Sequence, residues 1–189
     1  MLGSAEPDTH VDGAAAAACG IDVARRRTGG SSVLVAPGAM AWLDVVVPVS
    51  DPLWDDDVGV APLWLGRAWA GALDALGVPG ATVHVGRMER GPWSDLVCFA
   101  GRAPGEVAVG AAKVVGICQR RTRGGALFQC GALLRWDPAA AVAGLALEDR
   151  AAAARALAGA AVGIEDLVGP VARPALERAL ERCLPGGAV

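Results

Sequence analysis

Lysine is almost missing from this chain. Of its 17 basic residues only Lys113 is not arginine, so one position has kept an ammonium group where sixteen others carry a guanidinium. Histidine is nearly as scarce, with His10 and His84 far apart. The five cysteines, Cys19, Cys98, Cys118, Cys130 and Cys183, are scattered, odd in number and free of any CxxC pair. That pattern argues against a disulfide scaffold or a zinc site, and makes a reducing cytoplasm the expected compartment, with no metal held by protein ligands. No apolar run reaches the roughly 18–20 residues of a membrane span, and the N-terminus has no basic n-region of a secretion signal. A net charge of −3 supplies no general attraction for nucleic acid or anionic membrane.

What is present is a folded chain. It has 189 residues, 53% apolar and 20% charged, enough for one domain with a real core. Positive charge is nonetheless concentrated in Arg25-Arg26-Arg27 and in Arg120-Arg121-Thr122-Arg123. In a mildly acidic protein this points to one anionic ligand site and not to a long basic track.

The order of elements predicts an α+β fold, a mixed, largely antiparallel sheet with flanking helices. A helix is expected over 8–19, capped by Asp8 or Thr9 and stopped by Gly20. Strands are expected over 22–27 and 32–36 on either side of Thr28-Gly29-Gly30-Ser31, and over 42–47. Asp55-Asp56-Asp57 should open a helix running to Leu76, where their charge suits the macrodipole. Further strands are expected over 82–85, 96–99, 106–109, 113–119 and 126–136. Asp137-Pro138 starts a helical region, with segments near 148–160, 164–168 and 171–183.

Two stretches carry chemistry. In RRRTGGSSVLV, residues 25–35, paired glycines allow a turn whose backbone N–H groups point at an anion. Arginines precede that turn and hydroxyls surround it; read alone, the same residues also describe a plain hairpin turn beside a solvated basic strand. The second is Lys113-Val114-Val115-Gly116-Ile117-Cys118-Gln119-Arg120. A lysine here belongs near an edge or mouth, because burying it unpaired is costly, and a compact ammonium fits a narrow site better than a planar fork. Taken alone, it is equally well a surface lysine.

Taken together, in this order and spacing, the two stretches resemble the biotin/lipoate protein ligase superfamily, and within it the lipoate–protein ligase branch. The first motif stands here as Arg26-Arg27-Thr28-Gly29-Gly30-Ser31-Ser32-Val33, with Leu34 following. The second is the Lys113 strand followed by Gln129-Cys130-Gly131, and Trp93 to Phe99 is similar to the segment that precedes that lysine in the family. The resemblance implies a single catalytic domain over 1–189 that starts late, lacks a pocket-forming first hairpin and has no C-terminal accessory domain. It implies that Lys113 meets the acyl carbonyl and α-phosphate, that Arg26 and the turn through Val33 close over nucleotide and acyl chain, and that Gly116 admits the ligand close to its strand. Asp95 is a candidate to hold Mg²⁺ or nucleotide, and Gln119 belongs to the binding strand.

The implied reaction takes lipoate or octanoate and ATP with Mg²⁺, forms an acyl-adenylate, and transfers the acyl group to a lysine of a lipoyl-carrier domain. The carrier would be of the 2-oxoacid dehydrogenase E2 or glycine cleavage H protein type. Alternatives of the same resemblance are an ATP-independent octanoyltransferase fed by acyl carrier protein through a cysteine thioester, and a non-catalytic acyl- or carrier-binding relative. Ser31 stands where the family loop has a third glycine, and Cys130 where relatives often carry His. Cys118 and Cys130 are expected as buried packing residues. Trp64 and Trp69 are expected in the core, while Trp42 and Trp93 are candidates to line an acyl tunnel.

Overall fold

A computed structural model describes residues 1–186. The apolar runs form five strands: β1 (Met40–Pro48), β2 (Ala81–Val83), β3 (Val107–Val109), β4 (Ala112–Thr122) and β5 (Gly125–Leu133). They make one sheet in the order β1-β5-β4-β3-β2, and every neighbouring pair is antiparallel. Consecutive strands joined by short Gly turns have no room for a parallel crossover, which needs a dozen or more residues. The long partners β4 and β5 sit centrally, where nearly all their apolar residues are buried.

Among the described residues, six helices flank the sheet: α1 (Gly13–Ala18), α2 (Leu63–Ala75), α3 (Pro138–Val142), α4 (Arg150–Leu157), α5 (Ile164–Val168) and α6 (Arg173–Cys183). Leu65, Trp69, Ala72 and Leu73 of α2 recur at helical spacing and pack with Leu176, Ala179 and Leu180 of α6 against Val114, Val115, Phe128 and Ala132 of the sheet. Each large side chain buried there contributes about 1.5–3 kcal/mol. Smaller clusters join the remaining helices to the loops, one around Val97, Val142, Leu145 and Leu157 and one around Val33, Met40, Phe99 and Leu133.

Five expectations fail for local reasons. The helix expected over 8–19 splits into a 3-10 turn at Asp8–His10 and α1; Asp12 is the true cap, accepting from the Ala14 and Ala15 amides. The helix assigned to Asp55–Asp57 begins only after Pro62, and those aspartates hold turns through their own side chains. Segments 22–27 and 32–36 are extended but form only single bridges, Leu2 to Arg25 and Ser32 to Val97, because their partners are one-residue contacts and not strands. Segment 96–99 becomes a turn leading into a 3-10 helix at Cys98–Ala100.

Candidate functional site

The paired-glycine turn is shaped from beneath. Arg26 is buried, and its Nη2 donates to the carbonyls of Gly29 at 2.7 Å and Ser31 at 2.9 Å. Gly30 takes φ +92°, while Ser31 keeps an ordinary negative φ; serine in place of a third glycine therefore costs the loop nothing. The N-terminal segment clamps the same turn. A Cβ on Gly3 would lie 1.7 Å from the Gly30 carbonyl oxygen. The buried Glu6 carboxylate accepts from the amides of Gly3 and Ser32 and from the Ser32 hydroxyl. The amides of Gly29, Gly30 and Ser31 find no acceptor among the described residues. Three free N–H groups in one turn are a ready anion cradle.

Lys113 lies across from this turn, and not at an exposed mouth: its residue is 2% exposed. The cost of that burial is offset by a counter-charge. Lys113 Nζ donates to Glu106 Oε2 at 2.9 Å, to the Gly101 carbonyl at 2.9 Å and to the Cys98 carbonyl at 2.5 Å. Glu106 is buried too, and it accepts from the Ala103 and Ile117 amides. Burial by itself would pull the Lys113 ammonium down; the Glu106 charge and hydrogen bond, together with the Cys98 and Cys118 sulfurs, outweigh it and hold the pKa above the ordinary lysine value.

Turn and lysine line one cavity of about 490 Å³. Gly29, Gly30, Ser31, Asp95, Lys113 and Gln119 all reach it. Asp95 is at the rim, exposed and ion-paired to Arg90 at 2.6 Å. Gln119 donates to the Val58 carbonyl at 2.6 Å and leaves its own Oε1 buried without a partner. Arg26 supports the cavity from behind the turn.

The other predicted residues lie outside the cavity lining. Arg27 is exposed, and Thr28 is buried with its hydroxyl donating to Gln129. Ser32 is held by Glu6, Val33 joins a core cluster, and Leu34 lines smaller hollows beside α3. Gly116 sits under the lysine, where a Cβ would touch Glu106, Phe99 and Lys113 at ordinary van der Waals distance. Trp64 and Trp69 pack in or against the core as expected. Trp42 lines a separate groove beside α6, and Trp93 packs against the cluster around Val97.

Sequence reasoning missed Glu6, Glu106 and Cys98, all of which line the cavity. The one available signal was Glu106 in GEVAVG, a single carboxylate at the head of an apolar strand seven residues before the single lysine. Of the two cysteines expected as packing, Cys130 is fully buried, and burial pushes its thiol up to about 12. Cys118 instead lines the cavity beside Cys98. The neighbouring Cys118 side chain, with the charges of Lys113 and Arg26, overcomes burial and brings the Cys98 thiol down to about 6.

Residues 10–137 match the model of the biotin/lipoate A/B protein ligase family. No curated protein matches the sequence. Among solved structures, the chain is similar to a bi-partite lipoate protein ligase from Thermoplasma acidophilum, studied with its E2 lipoyl domain, at TM-score 0.71 and 22% identity over 96% of this chain and 64% of that one. It is similar to lipoate-protein ligase A bound with ATP at TM-score 0.70 and 21% identity, over 96% and 65%. It is also similar to P. falciparum LipL1 in complex with lipoate at TM-score 0.64 and 11% identity, over 96% and 44%. At these identities the likeness is one of fold. The chain spans less than two-thirds of the length of each of these structures.

Proposed function

Because this chain belongs to the biotin/lipoate A/B protein ligase family, we propose that it is a lipoate–protein ligase-type enzyme, attaching lipoate or octanoate to a lysine of a lipoyl-carrier domain. The observation that carries the reading is that the 29–31 turn and Lys113, more than eighty residues apart in sequence, line one cavity. In the first step the acid's carboxylate attacks the α-phosphorus of ATP and pyrophosphate leaves. In the second, the carrier's lysine amine attacks the acyl carbon and AMP leaves. Neither step requires a nucleophile of the enzyme, so its task is positioning and charge stabilisation.

The residues present suit that task. The free amides of Gly29, Gly30 and Ser31 donate to phosphoryl oxygens, and Arg26 fixes the turn while adding positive charge. Lys113 donates to the acyl carbonyl and α-phosphate by exchanging the main-chain carbonyls of Cys98 and Gly101 for ligand oxygens, with Glu106 keeping its charge in place. The nucleotide is taken as its Mg²⁺ complex, and Asp95 on the cavity rim would meet the ion. The carriers are lipoyl domains of the E2 or H protein type, in the cytoplasm.

The test is mass spectrometry of a lipoyl domain incubated with this protein, octanoate or lipoate, and Mg-ATP. Wild type should add one acyl group. Lys113→Met alone leaves Glu106 buried and unpaired, so the informative variant is Lys113→Met with Glu106→Gln, folded by thermal melt but unable to transfer. Full transfer by that folded double variant would remove Lys113 from the mechanism.

The low-pKa thiol of Cys98 on the cavity wall favours a second reading, an octanoyltransferase that takes its acyl group from acyl carrier protein as a thioester. Transfer without ATP, lost in Cys98→Ser, would select it.

A further inference from the structure

Cys98 and Cys118 reach the cavity from different elements, one from the 3-10 turn at Cys98–Ala100 and the other from β4. Both are half-buried on its wall, where each thiol shifts the titration of the other. Two cations adjoin them. Arg26 Nη2 lies 3.8 Å from Cys118 Sγ, and Lys113 Nζ is anchored on the Cys98 carbonyl. The 29–31 turn lies against one of the two, since a Cβ on Gly30 would come within 3.2 Å of Cys118 Sγ. A partly accessible thiol beside Arg and Lys is the setting in which a thiolate forms and reacts.

The pair also divides the labour of oxidation. The Cys118 side chain and the nearby cations favour the Cys98 thiolate, while the Cys98 side chain, with burial, keeps the proton on Cys118. One sulfur is ready to attack an oxidant, and the other waits, protonated, to resolve the product. Packing does not need this arrangement: Cys130, one strand over, is buried with no charged neighbour in hydrogen-bond contact.

We propose that Cys98 and Cys118 form a redox modification site, oxidised by a hydroperoxide to a disulfide that ties the 98–100 turn to β4 and alters the cavity between the 29–31 turn and Lys113. The Cys98 thiolate attacks the terminal peroxide oxygen and takes a hydroxyl group as the O–O bond breaks; the departing oxyanion leaves as water or alcohol after taking a proton. Cys118 sulfur then displaces hydroxide from the Cys98 sulfenic acid, and its own proton leaves with that hydroxide as water. Two sulfurs lose two electrons, which the O–O bond gains. A dithiol reductant reverses the step by thiol–disulfide exchange. The disulfide rests on the shared cavity wall and the two adjoining cations; its effect on turnover rests on the acyl-transfer reading above.

The experiment treats the reduced full-length chain with hydrogen peroxide, blocks free thiols with N-ethylmaleimide under denaturing conditions, and maps tryptic peptides. Cleavage after Arg90, Arg102, Lys113 and Arg120 isolates Cys98 in peptide 91–102 and Cys118 in peptide 114–120, each the only cysteine of its peptide. The expected product is the 91–102/114–120 cross-link, lighter than the two thiol peptides by two hydrogens and abolished by dithiothreitol. Cys98→Ser and Cys118→Ser, each checked for folding by thermal melt, should lose the cross-link. They should also lose one equivalent of bound phenylarsine oxide, which needs two neighbouring thiols and no oxidation.

Two free thiols after peroxide, sulfinic acid on Cys98 without a cross-link, or pairing of either cysteine with Cys19 or Cys183 would overturn the proposal. Where wild type shows transfer, oxidation should slow it at least about tenfold and reductant should restore it. An unchanged rate in fully cross-linked protein would overturn the effect on the cavity. A cross-link in a protein that transfers nothing in either redox state would sink the acyl-transfer reading alone.

Discussion

The ion pair between Lys113 and Glu106 makes a single residue serve structure and site together. Breaking a buried pair from one side leaves a charge without a partner and costs about 3–5 kcal/mol. Glu106→Gln should therefore lower stability by that order in urea unfolding, and the double change with Lys113→Met should recover part of the loss, a positive coupling in the mutant cycle. The pH dependence has a fixed sign. Lys113 titrates higher folded than unfolded, so its contribution is fully present below the ordinary lysine pKa of 10.5 and is lost as pH rises through the folded value. Wild type should lose more stability than the double variant between neutral pH and strongly alkaline pH in chemical denaturation. Equal losses would separate the pair from the stability of the fold.

The N-terminal segment and the glycine turn behave as one element, although neither is a strand. Gly3 and Gly30 touch backbone to backbone. A methyl group at Gly3 has no flexible neighbour to push aside, and Gly3→Ala should displace the turn from Arg26. Gly30→Ala adds the left-handed φ and a contact of 2.8 Å with Arg26 Nη2, for a loss of about 1–3 kcal/mol. Both variants should weaken binding of an acyl-adenylate analogue in calorimetry, and unchanged affinity in a folded Gly3→Ala protein would detach the clamp from the site.

These contacts also explain what could be read from the chain. β1, β4, β5 and the helix after Asp137 were legible because a long apolar run or a cap–proline pair declares itself locally. The stretches around the turn were read as strands because their residues favour extended backbone, yet single bridges to Leu2 and Val97 are all they form. Turn and lysine were legible as motifs. Glu106 leaves a trace only as the lone carboxylate ahead of the lysine strand; Glu6 and Cys98 leave none, because each acquires its role from a partner that only the folded chain brings near.

For the whole molecule, the sheet and helices form a frame around a cavity whose walls come from the N-terminus, the turn, the 98–106 loop and β4. A ligand filling it touches separate segments spread from Ala5 to Gln119, so binding is linked to global folding. An acyl-adenylate analogue at about 100 times its Kd should add about 2.7 kcal/mol to unfolding. The gain should be read as a raised denaturation midpoint in the wild type and be largely lost in the Lys113→Met, Glu106→Gln double variant. An equal gain in both would place the ligand elsewhere.

The three oxygens that converge on the Lys113 nitrogen also account for the spelling of the chain. Each claims one hydrogen of a tetrahedral cation, and together they describe a socket for one atom. A guanidinium would spread its hydrogens over three nitrogens in a plane and leave that socket half empty. Wherever else this protein wants a cation it writes arginine; here the lock was already cut for a different key.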